Sequence, residues 1–89
     1  TILSLGVEGV DPLEKAILMK MWRHGYIGAR HTSIDNLPKG LPKHLRREAL
    51  KAAKELIRKG YLITRPTSYG LEVSLNPKRL KEIKEQLAQ

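Results

Sequence analysis

Five basic side chains recur at spacings of three and four residues in the middle of the chain. They are His44, Arg47, Lys51, Lys54 and Arg58. On an α-helix these spacings place all five in one stripe, because residues three or four apart are neighbours on the helix surface. This basic stripe is typical of a surface that binds a polyanion such as a nucleic acid. The alternative interpretation is a helix face that is merely solvated.

The excess positive charge of the chain is concentrated in the same region. The 89 residues include 17 Lys and Arg against 9 Asp and Glu, a formal net charge of +8. Residues 20–66 hold twelve of the basic and three of the acidic side chains, a balance of +9, whereas residues 1–19 have −2 and residues 67–89 have +1. This distribution supports a polyanionic partner more strongly than the total charge does.

Residues that could support other chemistry lack the spacing that such chemistry requires. The chain has no cysteine, which excludes a disulfide framework, a thiol nucleophile, an iron–sulfur cluster and Cys-containing zinc sites. His24, His31 and His44 do not form a His-Glu-x-x-His pattern, and no serine lies in a nucleophile-elbow motif. The glycines do not form a phosphate-binding loop. We therefore expect no enzyme activity, no cofactor and no metal site.

The basic stripe requires a helix, and the sequence predicts one over residues 42–59. Pro42 suits a first helical turn, and Gly60 suits the left-handed residue that often follows a helix. At about 100° per residue, an apolar sector lies roughly opposite the basic stripe and predicts the buried face of this helix. The sector consists of Leu45, Ala49, Ala52, Ala53, Leu56 and Ile57. One helix thus has both a core face and a cationic face.

Local signals predict two helices before the basic one. The first, over residues 11–25, starts at an aspartate followed by proline and ends at Gly25. It follows an N-terminal extension of residues 1–10. A short helix over residues 33–38 begins at Ser33, a suitable cap residue.

A β-hairpin and a last helix are predicted after the basic helix. The hairpin spans residues 61–75, because alternating or β-branched segments there flank a short polar tip. The last helix, over residues 77–88, has a narrow apolar seam of Leu80, Ile83 and Leu87, which could pack on the first helix or form a homodimer. The predicted class is α+β, mainly α, with a three-helix core, a two-stranded hairpin and a C-terminal helix.

The order of these elements resembles that of the winged helix-turn-helix family. The junction between basic helix and hairpin, residues 49–62, reads Ala-Leu-Lys-Ala-Ala-Lys-Glu-Leu-Ile-Arg-Lys-Gly-Tyr-Leu. Its Leu-x-x-Lys-Gly-Tyr pattern is similar to the junction of recognition helix and wing in small bacterial and archaeal transcription regulators. The element order covers nearly the whole chain, whereas the junction pattern also occurs in winged helices that bind RNA or only proteins.

The resemblance implies that the basic helix lies in the major groove of DNA and that the hairpin, as the wing, contacts the backbone or the minor groove. The residues that would approach base edges are Lys43, His44, Arg46 and Arg47. Among these, Arg46 and Arg47 can each bind a guanine edge through two hydrogen bonds, and Lys43 is a weaker candidate. Further along the basic stripe, Lys51 and Lys54 would contact phosphates, and Arg58 is the last residue of the stripe. The candidate contacts on the wing are Arg65, Thr67, Ser68 and Tyr69.

Residues 38–42 depart from the family pattern, since this segment is longer and richer in proline than the usual tight turn. The leading hypothesis is a double-stranded DNA-binding transcription regulator or chromosomal protein. An RNA-binding or ribosome-associated protein that uses the same basic face is the alternative, and a protein-interaction module is the third possibility. We expect a cytoplasmic protein near the nucleoid or ribosomes, with no membrane partner. The composition, rich in Lys and Glu, is typical of a thermophile.

Overall fold

The computed structural model describes residues 9–88, which form a mainly helical α+β fold. In chain order the elements are α1 (Pro12–His24), β1 (Thr32–Ser33), a 3₁₀ turn (Ile34–Asn36), a second 3₁₀ turn (Lys43–Leu45) that leads into α2 (Arg46–Arg58), β2 (Leu62–Thr67), β3 (Gly70–Leu75), a third 3₁₀ turn (Pro77–Arg79) and α3 (Leu80–Ala88). Of the predicted N-terminal extension, residues 1–8 lie outside the described residues. No helix within residues 9–88 has the length and apolarity needed to cross a membrane.

Helix α1 has a defined residue at each end. The carboxylate of Asp11 accepts a hydrogen bond from the Glu14 amide at 2.8 Å, and the Glu14 carboxylate accepts one from the Asp11 amide at 2.9 Å. This reciprocal pair satisfies two amides that the helix itself leaves without partners. Gly25 follows the helix with φ +71°, a left-handed conformation that costs glycine little.

Two of the predicted helices, over 33–38 and 42–59, have different bounds or a different helix type in the structure. The predicted short helix over 33–38 is a single 3₁₀ turn at Ile34–Asn36, capped by Ser33. The predicted helix over 42–59 becomes α-helical only at Arg46, because Pro42 precedes a 3₁₀ turn, and its last α-helical residue is Arg58.

The sheet has three antiparallel strands in the order β1, β3, β2. The prediction of a two-stranded hairpin missed β1, which pairs Thr32 with Val73 at the far edge of β3. A strand of two residues is too short to show the alternation by which strands are recognised in a sequence. In the hairpin itself Leu62 lies opposite Leu75, and Arg65 lies opposite Glu72.

The hydrophobic core lies between the helices and the inner face of the sheet. Its fully buried side chains include Leu18 and Met21 of α1, Leu56 of α2, and Tyr61. Alanines on the buried face of α2 are small enough to let this helix approach its neighbours closely. The orientation of α2 is therefore set by packing along its whole length.

The apolar seam of α3 is used within the chain. Ile83 is completely buried, while Leu80 and Leu87 are partly buried against the core, and α3 packs on α1. Of the two uses predicted for this seam, packing on the first helix is the one that the fold contains. Homodimerisation through the same residues stays a prediction.

Candidate nucleic-acid interface

Helix α2 separates its buried and basic residues onto opposite sides. Its buried residues are Ala49, Ala52, Ala53 and Leu56. At about 100° per residue, the centre of this buried face lies about 180° from the centre of the row Arg47, Lys51, Lys54 and Arg58. All four of these side chains are exposed. The same packing that buries one side of the helix thus presents its cations to solvent.

Exposed basic side chains also lie just before α2 and at its first residue. Lys43 and His44 lie on the 3₁₀ turn before the helix, Arg46 is its first residue, and all three are exposed. We define the basic surface by its exposed members Lys43, His44, Arg46, Arg47, Lys51 and Lys54. It brings together the residues predicted to read bases and those predicted to contact phosphates.

Lys51 of the basic surface lines a groove together with Glu48 and Glu55, but the surface has no direct ion pair among the described residues. Over residues 9–88, no ion pair involves a lysine or arginine of this surface. Solvated cations of this kind can exchange water and counterions for phosphate oxygens without first breaking an internal pair. The basic surface is therefore chemically suited to a polyanion.

Arg58 differs from the rest of the basic stripe because Glu55 partly neutralises it. Its guanidinium lies 2.5 Å from the Glu55 carboxylate through Nη2 and donates a second hydrogen bond of 2.7 Å through Nε. The hydrogen bond from Arg58 holds the pKa of Glu55 below its usual range. Of the predicted nucleic-acid contacts on α2, Arg58 is thus the least available.

Lys59 positions α2 and was given no role by the sequence. Its ammonium group donates to the Glu14 carboxylate at 2.8 Å and to the Gly9 carbonyl at 2.9 Å. The Lys59 side chain is 11% exposed and that of Glu14 is 3% exposed. This buried ion pair joins the end of α2 to the start of α1. No local signal could have found it, since its partners are 45 residues apart.

Lys20 holds the proline-rich segment that leads into α2. Its ammonium group donates to the Asn36 carbonyl at 2.9 Å and to the Lys39 carbonyl at 2.8 Å. Leu37, between these two carbonyls, is buried. The proline-rich segment is therefore tied to α1 before α2 begins.

The tip of the β2–β3 hairpin presents Tyr69 to solvent on a braced turn. The Thr67 hydroxyl donates to the Gly70 carbonyl at 2.8 Å and accepts from the Tyr69 amide at 3.2 Å. Tyr69 is 99% exposed, and Ser68 beside it is also exposed. Two hydrogen bonds from one side chain thus define the conformation of the turn.

Arg65 is exposed but held in a network on the sheet. Its Nη1 lies 3.3 Å from Nε2 of His31, and Nδ1 of His31 lies 3.5 Å from the Glu72 carboxylate. Glu72 is also the residue directly opposite Arg65 in the hairpin. Arg65 therefore has a fixed position and part of its charge is balanced nearby.

Residues 9–88 contain no group of three or more His, Cys, Asp or Glu side chains that could hold a metal ion. No family model, curated protein or solved structure matches this chain. The interpretation of the basic surface rests on its own geometry and charge.

Proposed function

We propose that this protein is a winged-helix protein that binds double-stranded DNA as a transcription regulator or chromosomal protein. The observation that carries the proposal is the row Arg47, Lys51 and Lys54 of α2, which is exposed, forms no ion pair within residues 9–88 and lies opposite the buried face of the helix. In the proposed complex the basic helix of residues 42–59 enters the major groove, and the wing, residues 65–70 of the hairpin, contacts the backbone or the minor groove.

The order of elements supports the winged-helix part of the proposal. A helix, a short 3₁₀ turn, a basic helix, a hairpin and a last helix follow one another as the resemblance to the family implies. The Lys59-Gly60-Tyr61 junction connects α2 directly to β2. Tyr61 is fully buried and Gly60 has φ +86°, so the junction fixes the hairpin relative to the helix.

The dimensions and chemistry of α2 favour duplex DNA as the partner. A helix with its side chains is about 10–12 Å across, and the major groove of B-DNA is about 12 Å wide. The major groove of A-form RNA is too narrow and deep for such a helix. Arg46 and Arg47, in the first turn, are the candidates for guanine edges, and Lys51 and Lys54 are the candidates for phosphates.

The number of available cations sets the expected dependence of affinity on salt. The four available cations of α2 are Arg46, Arg47, Lys51 and Lys54, and together with Lys43 and Arg65 they give six contacts if each meets one phosphate. At about 0.9 per phosphate, the logarithm of the affinity should fall with the logarithm of salt concentration with a slope of about −5. Arg58 is left out because Glu55 already binds it.

Fluorescence anisotropy with random-sequence duplex DNA and with a structured RNA, at several salt concentrations, tests the proposal. Lys51→Gln should weaken DNA binding and reduce the slope by about 0.9, whereas Arg47→Gln should weaken binding by about 1–3 kcal/mol at a site that offers it a guanine. Lys81→Gln, an exposed lysine on α3, is the matched control for loss of one charge and should change neither. Equal weakening by all three variants would contradict a specific role of α2. Tight RNA binding with weak DNA binding would replace the proposal by the RNA alternative, and binding to neither would refute it.

A further inference from the structure

Tyr69 is the most exposed large hydrophobic side chain within residues 9–88. The other large hydrophobic side chain exposed in this range is Ile63, which is 38% exposed against 99% for Tyr69. At 99% exposure the Tyr69 ring gains almost no packing energy from the described part of the chain. It offers two free π faces to a binding partner.

The turn that carries Tyr69 is ordered by its own hydrogen bonds. Thr67 accepts from the Tyr69 amide and donates to Gly70, its partner across the hairpin. Pro66, the residue of β2 just before Thr67, has a fixed φ and lies opposite Leu71 of β3. Because the backbone of the tip is already arranged, little backbone conformational entropy is lost when Tyr69 makes a contact.

The charge of the hairpin tip is compatible with a nucleic acid. Residues 62–71 contain Arg65 and no acidic side chain. The nearest carboxylate in the hairpin, Glu72, faces His31 and lies opposite Arg65. A phosphate backbone can therefore approach the tip without meeting an uncompensated negative charge.

The energies of stacking and of opening a duplex decide where Tyr69 can bind. One base stacked on an aromatic side chain contributes about 1–3 kcal/mol. Inserting a side chain between base pairs of a continuous duplex costs a few kcal/mol for the unstacked step. A single tyrosine therefore gains little there, whereas a base face already exposed at a gap or a single-strand junction carries no such cost.

We infer that Tyr69 stacks on a base face that is already exposed, so that the protein prefers DNA containing a gap or a junction with a single strand over continuous duplex. The inference rests on the proposed function, since α2 supplies the duplex contacts in both cases. A stacking contribution of about 1–3 kcal/mol corresponds to an affinity about 5- to 150-fold higher for the gapped DNA.

The test compares a short duplex closed at both ends by hexaethylene glycol linkers with the same closed duplex carrying a two-nucleotide gap. Anisotropy gives both affinities, and 2-aminopurine placed at the edge of the gap reports stacking directly. The wild-type protein should bind the gapped DNA more tightly and quench the 2-aminopurine. Tyr69→Ala should abolish the preference and the quenching, whereas Tyr69→Phe should retain both.

Matched variants separate this inference from the proposed function. Tyr69→Leu keeps an apolar side chain without a π face and should behave like Tyr69→Ala. Arg47→Gln should weaken binding to both DNAs by the same factor. Equal binding of wild-type protein to both DNAs, or a gap preference that survives Tyr69→Ala, would overturn the inference alone. No binding to either DNA would overturn the proposed function as well. Because Tyr69 is 99% exposed, all of its variants should fold, which circular dichroism checks.

Discussion

Replacing Lys59 by methionine should destabilise the fold without weakening the basic surface. Lys59 has the same charge as Lys54 and lies one residue after α2, but its ammonium group is buried against Glu14 instead of facing solvent. Methionine retains most of the aliphatic length of lysine and removes the charge. The Glu14 carboxylate then stays 3% exposed and loses its 2.8 Å cation.

The expected loss follows from what Glu14 retains. Removing one partner of a buried ion pair typically costs about 3–5 kcal/mol. Glu14 keeps the hydrogen bond from the Asp11 amide, so the lower end, about 3 kcal/mol, is expected here. A domain of this size has a free energy of unfolding of roughly 5–13 kcal/mol. The melting temperature should therefore fall by about 12–24 °C.

Urea denaturation and thermal melting of the wild type and four variants provide the measurement. Lys54→Met, the matched control, removes an equal charge from an exposed position and should change the free energy of unfolding by less than about 0.5 kcal/mol. It should weaken DNA binding, whereas Lys59→Met should bind DNA normally while folded. Glu14→Gln preserves the capping pattern, and the double variant with Lys59→Met should lose less than the sum of the single losses. If Lys59→Met lost no more stability than Lys54→Met, the proposed role of the pair would be refuted.

Two further predictions concern the ends of α2 and its exposed ion pair. Gly60→Ala should lower the free energy of unfolding by about 1–2 kcal/mol because φ is +86°, and the new Cβ, 2.8 Å from Nη1 of Arg79, should displace that guanidinium. Gly40 has φ +90° and open space around it, so Gly40→Ala should show the backbone strain alone. Equal losses of stability in the two variants would contradict the Arg79 contact. Arg58→Gln should raise the pKa of Glu55 towards its usual value, because the Arg58 hydrogen bond lowers it. The Arg58–Glu55 pair contributes a small stabilisation to the fold that is present above the ordinary carboxyl pKa and is lost as the pH falls through the lowered pKa of Glu55. If carbon-detected NMR showed the same Glu55 titration in Arg58→Gln as in the wild type, the pairing would be refuted.

The sequence by itself determined the features that depend on neighbours within about four residues. Asp11 and Gly25 lie at the two ends of α1, because capping and the left-handed residue act through the adjacent turn. The opposition of alanines and cations on α2 follows from helical periodicity alone. For this reason the exposed row Arg47, Lys51 and Lys54 could be named before the fold was known, whereas Lys43 and Arg46 were named from the resemblance to the winged-helix family.

The helix boundaries show where local signals stop being sufficient. Pro42 is compatible with the first turn of an α-helix and also with a residue that precedes a 3₁₀ turn. In the fold α2 begins only at Arg46, after a segment that Lys20 holds through two backbone carbonyls. That anchor joins residues 16 and 19 positions apart, which no local pattern encodes.

Only the tertiary structure decided which charged residues are structural and which remain available to a partner. Lys54 and Lys59 are both lysines near the end of the same basic helix, but packing directs one to solvent and the other to Glu14. In the same way the pairing of β1 with β3 places the preceding residue, His31, between Arg65 and Glu72. A strand of two residues such as β1 leaves no recognisable pattern in the sequence. Local geometry fixes the face on which a side chain lies, whereas its partners depend on long-range packing that the sequence pattern does not contain.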